Sequence, residues 1–463
     1  MRSAAAVVLA SIVASRIAAA QAPPAIVADA DIRRILAERI DAQRQSVGIV
    51  AGVIEPAGRR IVSYGRRAKD DARALDGDTI FEIGSITKVF TSLLLADAVQ
   101  RGEVALADPV SKYLPAPVKI AERGRAITLQ DLATHTSGLP RLPGNMKPRD
   151  ATNPYADYSV EQLYQFLSSF QPARDAGAQY EYSNLGGGLL GHLLALRAPT
   201  DYESLVRARI TAPLGMASTA ITLSPELRAR LATGHSEMLQ PVPNWDLPTL
   251  AGAGALRSSV NDLLVFLAAN LAYVASPLAP AMAAMRAVRR PTGIDNLQIA
   301  LGWHVLTAHG REIVWHNGGT AGYRTFIGFD PAARTGVVVL SNAGTAAGPD
   351  DIGRHLLDPE LPLLKLEPPA THTEIAIDPK LYDVYAGRYR FTPAVALAIT
   401  RTENHLFAQL TGQPSFEIFP ESEKRFFLKV VDAQLTFETD ADGKATAVVL
   451  HQNGIDQRAS RVE

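Results

Sequence analysis

The 463-residue chain contains no cysteine. Thiol nucleophiles, disulfides, thiolate zinc sites and iron–sulfur clusters are therefore excluded. It also lacks an excess of either charge. Lys plus Arg number 46 against Asp plus Glu 47, for a formal net charge of -1. No basic footprint of a nucleic-acid binder is present, and no block of like charge forms an interaction tail. Long apolar runs are missing as well. The most apolar stretch beyond the start, "TLAGAGALRSSVNDLLVFLAANLAYVA", is interrupted by Arg257, Asn261 and Asp262, so no transmembrane span is expected. No H-E-x-x-H spacing links the ten histidines, which leaves no metal-site motif. No G-x-S-x-G offers a nucleophile elbow, and the GGG at 186–188 lacks the strand and lysine of a phosphate loop.

What remains is an ordinary globular composition, 47% hydrophobic and 20% charged, long enough for two or three domains. The start reads as an export signal over residues 1–20. Arg2 is followed by an apolar stretch from Ala4 to Ala14 and by small residues at Ala18–Ala20. The expected location is periplasmic or secreted. Residues 21–357 read as one mixed α/β domain. Ile32, Ile35, Leu36 and Ile40 share a helix face. "VGIVAGVIEPAGRRIVSYG" predicts a hairpin turning at Pro56-Ala57-Gly58. A helical middle follows. Three late strands, "REIVWHNGG", "GYRTFIGFD" and "TGVVVLSNAG", are expected to turn at Gly318-Gly319 and Pro331-Ala332. Strands at both ends of this segment predict a sheet built from both, covered by helices. Residues 358–379, with Pro359, Pro362, Pro368, Pro369 and Pro379, read as a linker. Short alternating runs over 380–463, separated by turns at Glu403-Asn404, Asp442-Gly443 and Asn453-Gly454, predict a small antiparallel barrel or sandwich. A ligand cavity inside it is one option, since small barrels are filled or hollow.

The chemistry centres on "DTIFEIGSITKVFTSLLLADAVQRGEVAL". Ser85 and Lys88 lie three residues apart, one turn apart on a helix face. A serine hydroxyl needs a base to become nucleophilic. A lysine serves as that base once burial lowers its pKa from about 10.4, and the apolar helix supplies the burial. Gly84 lets another segment approach, and the Ser85 N–H at the helix start is free to bind an oxyanion. In "QYEYSNLGGGLLG", Tyr182 and Asn184 point the same way if the loop is extended. The phenol can hold or shuttle a proton, and the amide can bind a substrate carbonyl. In "VWHNGGTAG", His316 and Gly318 fall on a strand. Gly318 allows a ligand backbone alongside, and the Gly319 N–H is a second oxyanion donor.

A Ser-x-x-Lys, a Tyr-Ser-Asn and a His-Asn-Gly in this order resemble the penicillin-recognising serine hydrolases, nearest the class C β-lactamase-like branch. "LATHTSGLP", "AGAGALRSSVNDLLVFL" and "LGWHV" resemble it too, and the C-terminal segment resembles a lipocalin-like barrel appended to some members. The resemblance implies a β-lactamase/transpeptidase-like antiparallel sheet flanked by helices beside an all-helical region, with the site between them. It implies acylation of Ser85. Lys88 either accepts the Ser85 proton or holds Tyr182 anionic. Tyr182 returns the proton to the leaving group and activates the deacylating water. Asn184 binds the substrate amide, and the Ser85 and Gly319 N–H groups form the oxyanion hole. No metal or cofactor is implied. The partner is a small molecule or short peptide: a β-lactam, an ester or a D-amino-acid peptide. One departure matters. Lysine usually stands where this chain has His316, and a histidine is mostly neutral at neutral pH. An anionic antibiotic therefore gains less here, which shifts the expectation from efficient β-lactamase towards esterase, amidase or D-peptidase. The alternative is a penicillin-binding or sensing protein, acylated without turnover; Tyr182, needed for turnover, argues against it.

Overall fold

The computed structural model describes residues 27–463 apart from 369–371, 393–394, 412–414, 453–454 and 463. The expected export signal and the Asn453-Gly454 turn lie outside the described residues. Nine strands form one antiparallel sheet: β1 (Gly48–Glu55), β2 (Gly58–Ala68) and β3 (Asp71–Ala74) from the start, β6 (Arg290–Pro291), β7 (Leu297–Ile299), β8 (His304–Ala308), β9 (Arg311–Gly319), β10 (Arg324–Asp330) and β11 (Thr335–Ser341) from later on. Their order is β3-β2-β1-β11-β10-β9-β8-β7-β6. β1 pairs with β11 from Ile49 opposite Ser341 to Ile54 opposite Gly336, so the two ends of the segment meet at the sheet centre. A separate pair, β4 (Ile80–Glu82) and β5 (Arg257–Ser259), lies among the helices.

Period-two alternation decides which side chain faces which layer. On β1, Ile49, Ala51 and Val53 pack with Ile32, Ile35 and Leu36 of helix Asp29–Ala37 and with Ile352 and Leu356 of helix Asp350–Leu357. Val50 and Ile54 face the opposite way into the large core built on helices Thr87–Gln100, Asn184–Arg197 and Val260–Asn270. β1 is thus apolar on both faces, as a strand covered by helices on each side must be. The same alternation on β9 sends Ile313 and Trp315 to the first layer and Val314 to the second. His316 and Gly318 share the parity of Val314 and face the helical region.

The expected turn at Gly318-Gly319 is corrected: both glycines belong to β9, and the chain reverses at Thr320–Tyr323. A Cβ on Gly318 would lie 1.9 Å from the Ile83 carbonyl oxygen. The glycine serves close approach of two backbones, not reversal of one.

Between Leu357 and Lys380 the described residues form no helix or strand. A closed eight-stranded antiparallel barrel follows, from Gly387 to Arg461, sealed by its first and last strands through Tyr389 opposite Arg461. Its interior is packed with Tyr385, Tyr389, Phe426 and Phe437, and the Tyr385 and Phe437 rings stack at 4.3 Å. The barrel is filled with side chains. Its last strand, Ile455–Arg461, was not among the runs expected from the sequence, because it buries only Ala459 and shows no apolar alternation.

Candidate active site

Ser85 sits in a single tight turn, Gly84–Ile86, that leads into helix Thr87–Gln100. One backbone approach from the end of β9 and one side-chain hydrogen bond from β10 hold this turn. Gly84 has φ +51°, and a Cβ there would lie 2.6 Å from the Gly319 nitrogen. Thr325 Oγ1 donates to the Ile83 carbonyl at 3.0 Å. The Ser85 segment and Gly319 are therefore brought together, as the two-donor arrangement requires.

Lys88 lies one turn on and is 2% exposed. Its Nζ is 2.9 Å from Ser85 Oγ, 2.9 Å from Asn184 Oδ1 and 2.6 Å from the Ala253 carbonyl oxygen. Burial holds its pKa well below the usual lysine range, and the positive charge of Arg141 adds to this. A neutral amine has two N–H donors and one lone pair. The Asn184 and Ala253 oxygens only accept, so they take both donors. The lone pair then faces Ser85 Oγ–H, which fits deprotonation of the serine.

The glycine-rich helix start makes room for this lysine. A Cβ on Gly187 would lie 3.0 Å from Lys88 Cε, and one on Gly191 would lie 2.8 Å from Gly252 Cα. Helix Asn184–Arg197 thus packs closely on the Lys88 stem and on the short helix Ala251–Gly254 that supplies the Ala253 carbonyl. Ser183 caps this helix by accepting from the Gly186 N–H at 2.8 Å. Asn184 is its first residue, with Nδ2 donating to Tyr155 Oη at 3.1 Å.

Tyr182 precedes the cap. Lys88 Nζ lies 4.8 Å and Arg141 Cζ 5.3 Å from its ring centroid. Burial raises the phenol pKa, opposed first by a hydrogen bond with Ser85, so the neutral phenol is the resting form. His135, at φ +55°, packs its ring 4.4 Å from that of Tyr182 and accepts from the Ser183 N–H at 3.2 Å. The "THTSG" histidine thereby orders the tyrosine loop.

His316 is fully buried and its Nδ1–H donates to the Asn317 carbonyl at 2.5 Å. Burial, first among the causes, pushes its pKa well below 6.5. It sits 6.2 Å from the Tyr182 ring and is not among the residues lining the cavity above Ser85. That cavity, of about 640 Å³, is lined by Ser85, Tyr182, Asn184, Gly318 and Gly319. Arg141, Tyr155, Tyr180, Trp245, His304, Asn317 and Asp350 also line it and were not placed there from the sequence, and Arg324 lines it too. They come from separated strands, helices and loops: His304 from β8, Asn317 from β9, Arg324 from β10, Asp350 from the start of helix Asp350–Leu357, and the rest from segments between elements. Trp245 is set by a buried Arg257–Glu82 pair at 3.1 Å, whose carboxylate also accepts from the Trp245 N–H. A second cavity of about 640 Å³ beside β2 is lined by Arg33, Tyr64, Arg66 and Lys69 and holds none of these groups.

A beta-lactamase family model matches residues 32–359, and a domain of unknown function, DUF3471, matches 371–461. The chain is 26% identical over 425 residues to penicillin-binding protein 4* of Bacillus subtilis, covering 87% of this chain and 92% of that one. It is 31% identical over 312 residues to the D-alanyl-D-alanine-carboxypeptidase/endopeptidase AmpH of Escherichia coli K12, covering 64% and 79%. A class C beta-lactamase structure superposes with a TM-score of 0.63 at 22% identity, over 73% of this chain and 97% of that one. The sheet, the helical layer and a match running from residue 32 to 359 lead to one conclusion: the chain belongs to the beta-lactamase family, whose members are serine hydrolases.

Proposed function

We propose that this chain hydrolyses esters and amides, including D-amino-acid peptides, through an acyl-enzyme on Ser85, and that β-lactams are poor substrates. The observation that carries this is the buried Lys88 Nζ 2.9 Å from Ser85 Oγ, with the Asn184 and Ala253 oxygens beside it at 2.9 and 2.6 Å to take the two N–H donors of a neutral amine. Ser85 Oγ attacks the substrate carbonyl as its proton passes to Lys88 Nζ. The oxyanion forms between the Ser85 and Gly319 N–H groups. Tyr182 passes a proton to the leaving group as the carbonyl–heteroatom bond breaks. Water then attacks the acyl carbonyl, giving its proton back through Tyr182 and Lys88, and Ser85 Oγ–H is restored. The raised phenol pKa supports Lys88 as the base rather than a resting phenolate. Asn184, tied to Lys88 and Tyr155, binds the substrate amide.

His316 supports the weak response to anionic antibiotics. It is neutral and buried, so the cation that a lysine offers at this place is absent. The apolar stretch within residues 1–20 supports export to the periplasm or outside the cell, and residues 21–357 supply the catalytic part. The test is a panel of nitrocefin, short p-nitrophenyl esters, and D-amino-acid amides and peptides on the purified chain and on Ser85→Ala. Esters or D-amino-acid amides are expected to turn over, nitrocefin slowly, and Ser85→Ala not at all. Unchanged turnover by Ser85→Ala overturns the reading.

A further inference from the structure

The cavity over Ser85 carries charge that acyl transfer does not use. Its charged lining residues are Arg141, Arg324 and Asp350. Arg141 lies over Tyr182. The other two have a different setting.

Arg324 on β10 is half-buried, and Nη1 donates to the Thr320 and Tyr323 carbonyls at 2.6 and 3.1 Å. No carboxylate among the described residues lies within 4.0 Å of its guanidinium; Glu237 and Asp350 attract it from farther away. Asp350 opens helix Asp350–Leu357 and accepts from Asn317 Nδ2 at 2.5 Å. It too forms no ion pair within 4.0 Å among the described residues. Its neighbour Arg354 acts on it from a distance and lies over the Trp315 ring, 5.3 Å from the centroid.

The segment that carries Asp350 is fixed. Arg39 donates to the Gly348 carbonyl at 2.8 Å and forms a two-pronged buried pair with Asp351 at 3.1 and 2.5 Å. A Cβ on Gly348 would meet Arg324 Cβ at 3.3 Å, so the segment packs on the arginine stem. Ala346, Ala347 and Gly348 line the same cavity and leave space beside both charges. A guanidinium and a carboxyl, each partly withdrawn from water and with no ion pair within 4.0 Å among the described residues, thus face one cavity. Such groups are costly until a partner arrives. A ligand of one sign satisfies one and leaves the other exposed to its like charge. A group with a carboxylate beside an ammonium satisfies both.

We propose that Arg324 and Asp350 form a subsite for a zwitterionic amino-acid group on the substrate, its carboxylate on Arg324 and its ammonium on Asp350. This rests on the reading of Ser85 as nucleophile only for its kinetic readout.

Two series of amide substrates test it, one with the variable tail on the acyl side and one with it on the leaving group. Each ends in a neutral amide, a carboxylate, an ammonium or both charges. In one series the zwitterionic member is expected to exceed the neutral one in kcat/KM by about tenfold or more, and to exceed each singly charged member. Arg324→Gln is expected to remove the gain from the carboxylate and Asp350→Asn that from the ammonium. Calorimetry on Ser85→Ala, which needs no turnover, is expected to show the zwitterionic member binding about tenfold tighter than the neutral one. Equal binding across the members by Ser85→Ala, or a preference for a single charge, overturns the subsite whether or not Ser85 is the nucleophile. Loss of turnover with the binding preference intact overturns the nucleophile and leaves the subsite standing.

Discussion

At the scale of the residue, the account turns on the protonation state of two buried side chains. Lys88 is the base only while neutral, so kcat/KM for an uncharged ester rises with pH through its depressed pKa and then levels off. Lys88→Met removes the base without adding bulk, and is expected to lower kcat/KM by about 10³-fold and flatten the profile. A profile unchanged in shape would count against the lysine. Folding stability follows the same sign. The unfolded lysine holds its proton up to about pH 10.4 while the native one has released it. Stability therefore increases as pH rises between the two values, and the Lys88→Met variant loses that slope in urea titrations. His316 gives a second reading. With Nδ1–H held by the Asn317 carbonyl and its pKa well below 6.5, its ring nitrogens are expected to show no titration by nitrogen NMR at about pH 6.5, where an ordinary histidine titrates.

At the scale of the element, the site depends on backbones that touch. Gly318→Ala would set a Cβ 1.9 Å from the Ile83 oxygen. It is expected to cost about 1–3 kcal/mol in urea unfolding and, by pushing the Ser85 turn from β9, to lower kcat more than it raises KM. Three buried histidines at the site, His135, His304 and His316, set the acid limit of folding stability. Burial lowers His304 to about 4, and His135 and His316 shift the same way. The unfolded chain binds protons that these rings refuse, so stability is lost as pH falls from about 6.5 towards 4. His304→Gln is expected to make that loss shallower. These elements also show what could be read in advance. Ser85, Lys88, Tyr182 and Asn184 stand in motifs whose spacing follows from a helix face and a helix cap, so the sequence exposed them. The hairpin of β1 and β2 showed in its two strand-like runs and the Pro56-Ala57-Gly58 turn between them. β6, β7 and β8 did not, because they are short and half-polar at the sheet edge. Trp245, Tyr155 and Asp350 reach the cavity through tertiary contacts that carry no periodicity. That His316 lies buried rather than at the cavity wall depends on how closely β9 meets the Ser85 turn.

At the scale of the molecule, hydrogen bonds change sides along the segment after Leu357. Gln45 Nε2 donates to the Glu367 carbonyl and the Leu364 N–H to Asp351, whereas the Ile375 N–H donates to the Pro420 carbonyl and Lys429 pairs with Glu374. We therefore place the boundary between residues 367 and 374, within the expected linker. The barrel closes its own ladder and fills its own interior, so Phe437→Ala is expected to cost about 3–5 kcal/mol in a barrel transition while ester turnover by the same sample holds. The claim under all of this is that the Ser85 hydroxyl attacks because a neutral Lys88 takes its proton. Intact-mass spectrometry after rapid acid quench with an activated ester tests it most directly. The account predicts one acyl adduct per chain, mapped to the Ser85 peptide, missing in Ser85→Ala and strongly slowed in Lys88→Met. An adduct on another residue, or one that forms at the normal rate in Lys88→Met, would contradict it.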